Sequence, residues 1–178
     1  LFDFDGVLSA ITSTPNEAYI SDNNIALLKK CVACFPTAII TGRTLGDIKK
    51  KIDLDGLLYI ASHGLEWEEE GKHHTKPIHK KIIEAINSAK QKIKLLAGHY
   101  PGMVFEDKVF MFGVHYRVMN PQLISKFKKE VMEIFKPILE NNKLRLDHNK
   151  KTFELRPEVD WNKGDSVLFA EKYFRDKT

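Results

Sequence analysis

TAIITGRTLGDIKKKIDLDGLLYIASHG, residues 37–64, reads as a strand, a helix and a second strand. TAIITGR is a short β-branched run that stops at a glycine, and LLYIASHG is a buried-type run that stops at Gly64. LGDIKKKI between them has helical character. Working towards the N-terminus, SDNNIALLKKCVACF (21–35) sets Ile25, Leu28, Val32 and Phe35 at helical spacing, behind Ser21 or Asp22 as N-cap. LFDFDGVL (1–8) reads as a further short strand that leaves through a turn. Strand, helix, strand, helix, strand implies parallel strands with helical crossovers, an α/β sheet. Such sheets bind ligands at the carboxyl ends of their strands. Asp3, Asp5, Thr41, Gly42, Arg43, His63 and Gly64 all fall at those ends.

Beyond Gly64 the pattern changes. EWEEEGKHH (66–74) is a charged stretch with a turn at Gly71. IHKKIIEAINSAKQKIKLLA (78–97) puts Ile78, Ile82, Ile86, Ala89, Ile93 and Leu96 on one stripe with lysines opposite, an amphipathic helix. MVFEDKVFMFGVHYRV (103–118) reads as two strands joined by a tight Glu106-Asp107-Lys108 turn. LISKFKKEVMEIFKPIL (123–139) is a second amphipathic helix, and KLRLDHNKKTFELRP (143–157) a hairpin over Asp147 to Lys150. WNKGDSVLFAEKYF (161–174) is a loop entering a helix. The expected organisation is an α/β core from 1–65 plus 156–178, with an α+β module inserted at 66–155.

The chain has 178 residues, 43% apolar and 29% charged, as expected of an ordinary globular protein. Its net charge of +4 suits an anionic small molecule and is too weak to argue for nucleic acid. No apolar run approaches the roughly 20 residues that span a bilayer, so no membrane association is expected. Two cysteines make no disulfide framework, which points to a reducing compartment, the cytoplasm. Cys31 and Cys34 lie late in a helix and ahead of a strand, whereas a redox CxxC opens a helix after one, so both are expected to pack. His73, His74 and His79 are expected in a solvated loop.

Asp3 and Asp5 carry the first chemical signal. In a strand they share a face about 7 Å apart, where two carboxylates repel unless a cation sits between them. Mg²⁺, a hard cation with oxygen ligands, resolves the repulsion. One carboxylate can then attack phosphorus, and the other can move protons. The alternative is a hairpin, since Asp-Gly is a turn signal. Thr41 and the backbone N–H groups of its turn suit a phosphate oxygen; the alternative is that Thr41 or Thr44 merely caps the next helix. Lys163, just before the last helix, can neutralise phosphate and carboxylates, or be solvated.

The order Asp-x-Asp-Gly, Thr-Gly-Arg and a late Lys resembles the haloacid dehalogenase (HAD) superfamily of phosphotransferases. DFDGVLSAI, TGR, SHGLE, FEDKVF, HYRV and ELRPEVDWNKG, spanning Asp3 to Gly164, are similar to successive blocks of the trehalose-6-phosphate phosphatases. The resemblance implies a HAD-like Rossmannoid parallel-sheet core with an inserted α+β (C2-type) cap that closes over a disaccharide. It implies Asp3 as nucleophile, Asp5 as acid/base, Thr41 as phosphate ligand, Lys163 as charge clamp, and Mg²⁺ at Asp3 and Asp5. It makes Glu106 and Lys108 a sugar-binding pair, with Arg117 and Glu154 beside them, and puts Gly42, Arg43 and His63 on the core side of the substrate. For Glu106-Asp107-Lys108 a plain charged hairpin tip is the other reading, and for His115 a packed strand histidine.

The activity implied is hydrolysis of trehalose 6-phosphate through phospho-Asp3. Rivals are another sugar phosphate, such as sucrose or glucosyl-glycerate phosphates, and a non-catalytic regulatory or binding domain. A trehalose-phosphate synthase, fused or associated, is the implied partner. The family pattern continues past the Lys block with a strand ending in an acidic loop that completes the metal site. Asp165 and Asp176 do not end an apolar strand. The expectation is therefore a core incomplete at its C-terminal side, with Val167, Leu168, Phe169 and Phe174 short of partners. Weak Mg²⁺ affinity and little turnover are expected of residues 1–178 alone.

Overall fold

A computed structural model describes residues 1–149 and 151–177. The chain divides into two compact units, Leu1–Lys76 with Asp160–Thr178, and Pro77–Val159. The fold is mixed α/β.

In the first unit α1 (Asp22–Cys34), β1 (Thr37–Ile40), α2 (Leu45–Lys51) and β2 (Leu57–Ala61) alternate as the sequence implies. β1 and β2 are parallel, from Thr37 opposite Leu57 to Ile40 opposite Ile60. Both are buried along their whole length, because each face is covered. Ile39, Tyr59 and Ala61 pack with Phe4, Leu28 and Ile48 on one side. Ala38, Ile40, Leu58 and Ile60 meet Ala170 of α5 (Lys163–Arg175) on the other.

The sheet continues with a hairpin, β3 (Glu66–Glu69) and β4 (Lys72–Thr75), in the order β1-β2-β3-β4. β3 pairs antiparallel with β2, so residues 66–76 belong to the first unit and not to the insert. The charged stretch is a hairpin because Glu70 and Gly71 both take positive φ, at 49° and 74°, the geometry of a primed two-residue turn. His73 and His74 consequently lie on β4, where His74 stacks on Trp67, while His79 caps the following helix.

The expected first strand joins β1 only by an isolated parallel bridge, Phe2 with Ile39, and a second such bridge pairs Asp5 with Ser9. The Phe4 carbonyl accepts the amides of Leu8 and Ser9, and Gly6 sits at φ +86°. The chain therefore turns from Phe4 onwards, so a turn and not a continuous strand carries Asp5. In α5, Phe169 and Phe174 pack with Trp67 and Tyr173 against the sheet, contrary to expectation. Val167 and Leu168 are 39% and 62% exposed. Cys31 is half-buried, and Cys34, expected to pack, is exposed at the end of α1; both are free thiols.

The second unit contains α3 (Lys80–Ala97), β5 (Val104–Asp107), β6 (Phe112–His115), α4 (Pro121–Asn141), β7 (Leu144–Asn149) and β8 (Thr152–Pro157). Its sheet is antiparallel throughout, in the order β5-β6-β8-β7. Alternation gives it one apolar face. Phe112, Val114, Phe153 and Leu155 pack with Ile86, Ile93, Phe127, Val131 and Phe135 of the two helices.

Two turns move. Glu106 and Asp107 are strand residues of β5, and the turn runs from Lys108 to Met111, closed by the Lys108 amide on the Met111 carbonyl at 3.1 Å. The β7–β8 ladder extends to Asn149 opposite Thr152, which puts Asp147 inside a strand. The rest of that expected tip includes Lys150, which lies outside the described residues. Lys90, expected on the solvent stripe, is buried, with Nζ 2.7 Å from the Lys108 carbonyl and 2.6 Å from Asp107. Among the described residues no helix is long and apolar enough to cross a membrane.

Candidate active site

The segments following Phe2, β1 and β2, together with the start of α5, enclose a cleft of about 300 Å³. It is lined by Asp3, Asp5, Ile40, Thr41, Gly42, His63 and Lys163. Asp3 Oδ1 accepts the Phe4 amide at 2.8 Å, and Oδ2 accepts from Lys163 Nζ. Lys163 is the first residue of α5. Asn162 caps that helix by accepting from the Gly164 and Asp165 amides, and Asp165 accepts the Asn162 amide in return at 2.7 Å. Trp161, one residue earlier, donates Nε1–H to Ser166 Oγ at 3.0 Å. A Cβ on Gly64 would stand 2.0 Å from that indole nitrogen, so only glycine lets the β2 loop lie against the lysine loop.

Asp5 is gripped at both oxygens by Arg43, Nε to Oδ2 at 2.9 Å and Nη2 to Oδ1 at 2.7 Å. Such forked, charge-assisted pairs are strong and orienting. Arg43 Nη1 also reaches Asp47 Oδ2 at 2.6 Å and the Pro15 carbonyl at 3.0 Å, and the guanidinium lies over the Phe4 ring. Burial alone would lower the Arg43 pKa, yet Asp5 and Asp47 outweigh it and hold the group protonated. Arg43 was grouped with the substrate contacts by resemblance. Its guanidinium faces two carboxylates and a carbonyl, and the residue is 6% exposed. Nor do Asp3 and Asp5 need a metal to relieve mutual repulsion, since each has its own cation, Lys163 and Arg43.

Thr41 is buried, and its Oγ1 accepts the Arg43 amide at 3.2 Å. Thr44, not Thr41, caps α2, by accepting from Asp47 N. That leaves the Thr41 hydroxyl proton able to be donated towards the cleft. Ser62, His63 and Gly64 follow one another at positive φ, 48°, 57° and 91°. Non-glycine residues in this region are strained unless their surroundings hold them. Here the Ser62 amide donates to the Arg43 carbonyl at 2.7 Å, the His63 amide to the Thr41 carbonyl at 3.1 Å, and Ser62 Oγ to buried Glu66. The strained turn lays His63 against Gly42, where a Cβ would fall 2.7 Å from the imidazole.

Among the described residues no group of three or more His, Cys, Asp or Glu side chains converges as a metal site. Mg²⁺ asks for less, since one or two carboxylates suffice when water and substrate phosphate supply the rest. The Asp3 carboxylate fits that minimal set, whereas the Asp5 carboxylate is taken up at both oxygens by Arg43, which leaves its main-chain carbonyl as the second oxygen that would serve.

Of the residues assigned to the sugar, Glu106, Lys108 and Glu154 gather in the second unit, the two glutamates on the face of the sheet away from its apolar core. Lys108 Nζ lies 2.6 Å from Glu154 Oε1 and 3.7 Å from Glu106 Oε2. Glu106 Oε2 also meets His115 Nε2 at 2.9 Å. Burial pushes the Glu106 carboxyl up, but the His115 hydrogen bond and the Lys108 charge prevail and hold it below the usual range. Arg117, half-buried, follows two residues beyond β6. Asp47, Pro15, Ser62 and Glu66 were not foreseen. Asp47 had a signal, four residues after Arg43 and three after Thr44 on a helix start.

The family model described as trehalose-phosphatase matches residues 1–172. The chain belongs to the trehalose-phosphatase family. Among curated relatives, the trehalose-phosphate phosphatase of Mycobacterium tuberculosis is 33% identical over 170 residues, 95% of this chain and 42% of the relative. That of Mycobacterium marinum is 30% identical over 177 residues, 99% of this chain and 44% of the relative. The chain thus spans less than half the length of these relatives. Among solved structures, a trehalose-6-phosphate phosphatase related protein has a TM-score of 0.81 at 22% identity, over 94% of this chain and 70% of that one. The C-terminal domain of the C. albicans trehalose-6-phosphate phosphatase has 0.77 at 23%, over 93% and 58%. At these identities the structural likeness speaks for the trehalose-phosphatase fold.

Proposed function

We propose that this chain carries a Mg²⁺-dependent phosphatase of the HAD type that hydrolyses trehalose 6-phosphate to trehalose and phosphate. The observation that carries the reading is the convergence of Asp3, Asp5, Thr41 and Lys163, far apart in sequence, on one cleft. Asp3 attacks phosphorus, and the ester P–O bond breaks. The departing sugar oxygen takes a proton from Asp5. Water then attacks the phospho-Asp3 phosphorus and gives its proton to Asp5, and Asp3 leaves as a carboxylate. For these transfers one Asp5 oxygen must be released from Arg43. Thr41 and the Gly42 amide bind phosphate oxygens, Lys163 balances charge beside Asp3, and His63 lines the opening. Mg²⁺, held by Asp3 and Asp5, would lend positive charge to the phosphate.

Residues 77–159 act in this reading as the α+β cap, and Glu106, Lys108, Glu154 and Arg117 bind sugar hydroxyls. A carboxylate–lysine cluster suits that task, because a sugar lacking a hydroxyl leaves a buried group unpaired. A trehalose-phosphate synthase, fused or associated, would supply the substrate, and the two free thiols agree with a cytoplasmic setting.

The test is phosphate release by the whole protein from trehalose 6-phosphate, sucrose 6-phosphate and glucosyl-glycerate phosphate, with Mg²⁺ and with chelator. Trehalose 6-phosphate should be turned over best, and chelation should abolish the rate. A better substrate elsewhere in the panel removes the specificity, and no release from any member removes the enzyme.

A further inference from the structure

Gly113 lies in the middle of β6, opposite Glu106 of β5 on one side and Glu154 of β8 on the other. A glycine inside a strand weakens it and marks a bulge, a bend or a close approach. Neither of the first two applies. The ladders on both sides run through residue 113 without a skipped partner, and its φ is not among the positive ones. The reason for glycine must be space.

That space is filled by one hydrogen bond. His115, two residues on and on the same face, meets Glu106 Oε2 through Nε2 at 2.9 Å. A Cβ at position 113 would stand 3.2 Å from each of these two atoms. The imidazole is fixed at its other end too, since Nδ1 lies 2.9 Å from Thr152 Oγ1 on the neighbouring strand. A carboxylate only accepts, so Nε2 carries the proton, and the Thr152 hydroxyl can donate to Nδ1. Thr152, His115 and Glu106 thus form a relay across three strands, passing over Gly113.

We infer that His115 is a positioning residue for the sugar site. It holds Glu106 Oε2 so that Oε1 is presented to a hydroxyl of the substrate, and Gly113 keeps the path between them open. The inference rests on the reading of Glu106 as a sugar ligand. His115 acts through Glu106 and does not touch the reacting atoms. The relay fixes the direction of one acceptor, so its loss weakens sugar binding and leaves the phosphate chemistry alone.

The experiment uses the whole protein with two substrates, trehalose 6-phosphate and p-nitrophenyl phosphate, which has no sugar. His115→Ala should raise KM for trehalose 6-phosphate about tenfold, the scale of one hydrogen bond to a charged group, with kcat within about twofold. Kinetics on the aryl ester should match the parent. His115→Gln restores a donor at the reach of Nε2 and should stay within about threefold of the parent KM. Gly113→Ala asks only for shifts of flexible side-chain ends and should be mild, whereas Gly113→Val blocks the path and should copy His115→Ala. In a Glu106→Ala background His115→Ala should add nothing.

Thermal melts and aryl-ester turnover establish that each variant is folded. Three results would overturn the inference: an unchanged KM in folded His115→Ala, equal impairment in Ala and Gln, or full additivity with Glu106→Ala. Parent protein inactive on every sugar phosphate would instead remove the functional reading, and this inference with it.

Discussion

Asp5 and Arg43 show what a motif can and cannot say about single residues. TGR placed Thr41, Gly42 and Arg43 at a strand end, and all three are there. The motif could not say which way the guanidinium points, because that depends on Asp47 and Pro15, which the chain brings up only in three dimensions. The placement of Asp3 and Thr41 was legible because each follows a residue on the parallel sheet, at the end where such sheets gather ligands, and that of Lys163 because it opens a helix that returns to the sheet. Two kinetic outcomes belong at this scale. Asp3→Asn should lose at least ~10³-fold in turnover of trehalose 6-phosphate, since the step lacks its nucleophile. Arg43→Lys keeps a charge but not the fork, so kcat should fall about 10²-fold, the scale of general acid–base catalysis, with KM little changed. A raised KM at constant kcat would return Arg43 to the substrate contacts.

At the scale of elements, the strand–helix–strand reading of 37–64 held because its signals are local: β-branched runs, a Thr44 cap and glycines at the ends. The hairpin at 66–75 escaped because its charged side chains hid the strand pattern, although Glu70-Gly71 supplied a primed turn. The Glu106-Asp107-Lys108 turn moved by two residues because the pairing of Glu106 with Gly113 is set by the opposite strand. The cap of α5 ties stability to chemistry. Asn162→Ala should cost about 1 kcal/mol and lower both Tm and kcat, because Lys163 is the next residue.

The second sheet carries a pH signature. For Asp107, burial raises the pKa, but Lys90 and Lys94 outweigh it and hold it low. For Asp147, burial is likewise overcome by Arg156 and Arg145. With Glu106 these groups have folded-state pKa values below the unfolded ones, so their stabilisation is complete above the unfolded value and lost as pH falls through the folded one. Melting of residues 77–159 should be flat from neutral pH down to about 5 and fall steeply below about 4. Asp147→Asn should flatten that fall; an unchanged profile would show that the arginine pairs do not carry it.

For the whole molecule, the two-unit organisation followed from a change of pattern: parallel-type runs, then helices with antiparallel runs, then a return. The insert starts at Pro77 and not at 66, since the intervening hairpin completes the first sheet. The chain belongs to the trehalose-phosphatase family, and the proposed function gives the cleft one chemistry, phosphoryl transfer from a sugar to Asp3. Rapid quenching of the whole protein with ³²P-labelled trehalose 6-phosphate, followed by borohydride reduction and peptide mapping, tests that chemistry at its centre. The account predicts transient label on protein, with reduction at Asp3. Hydrolysis of the substrate with no labelled protein, or with the label on another residue, would contradict it.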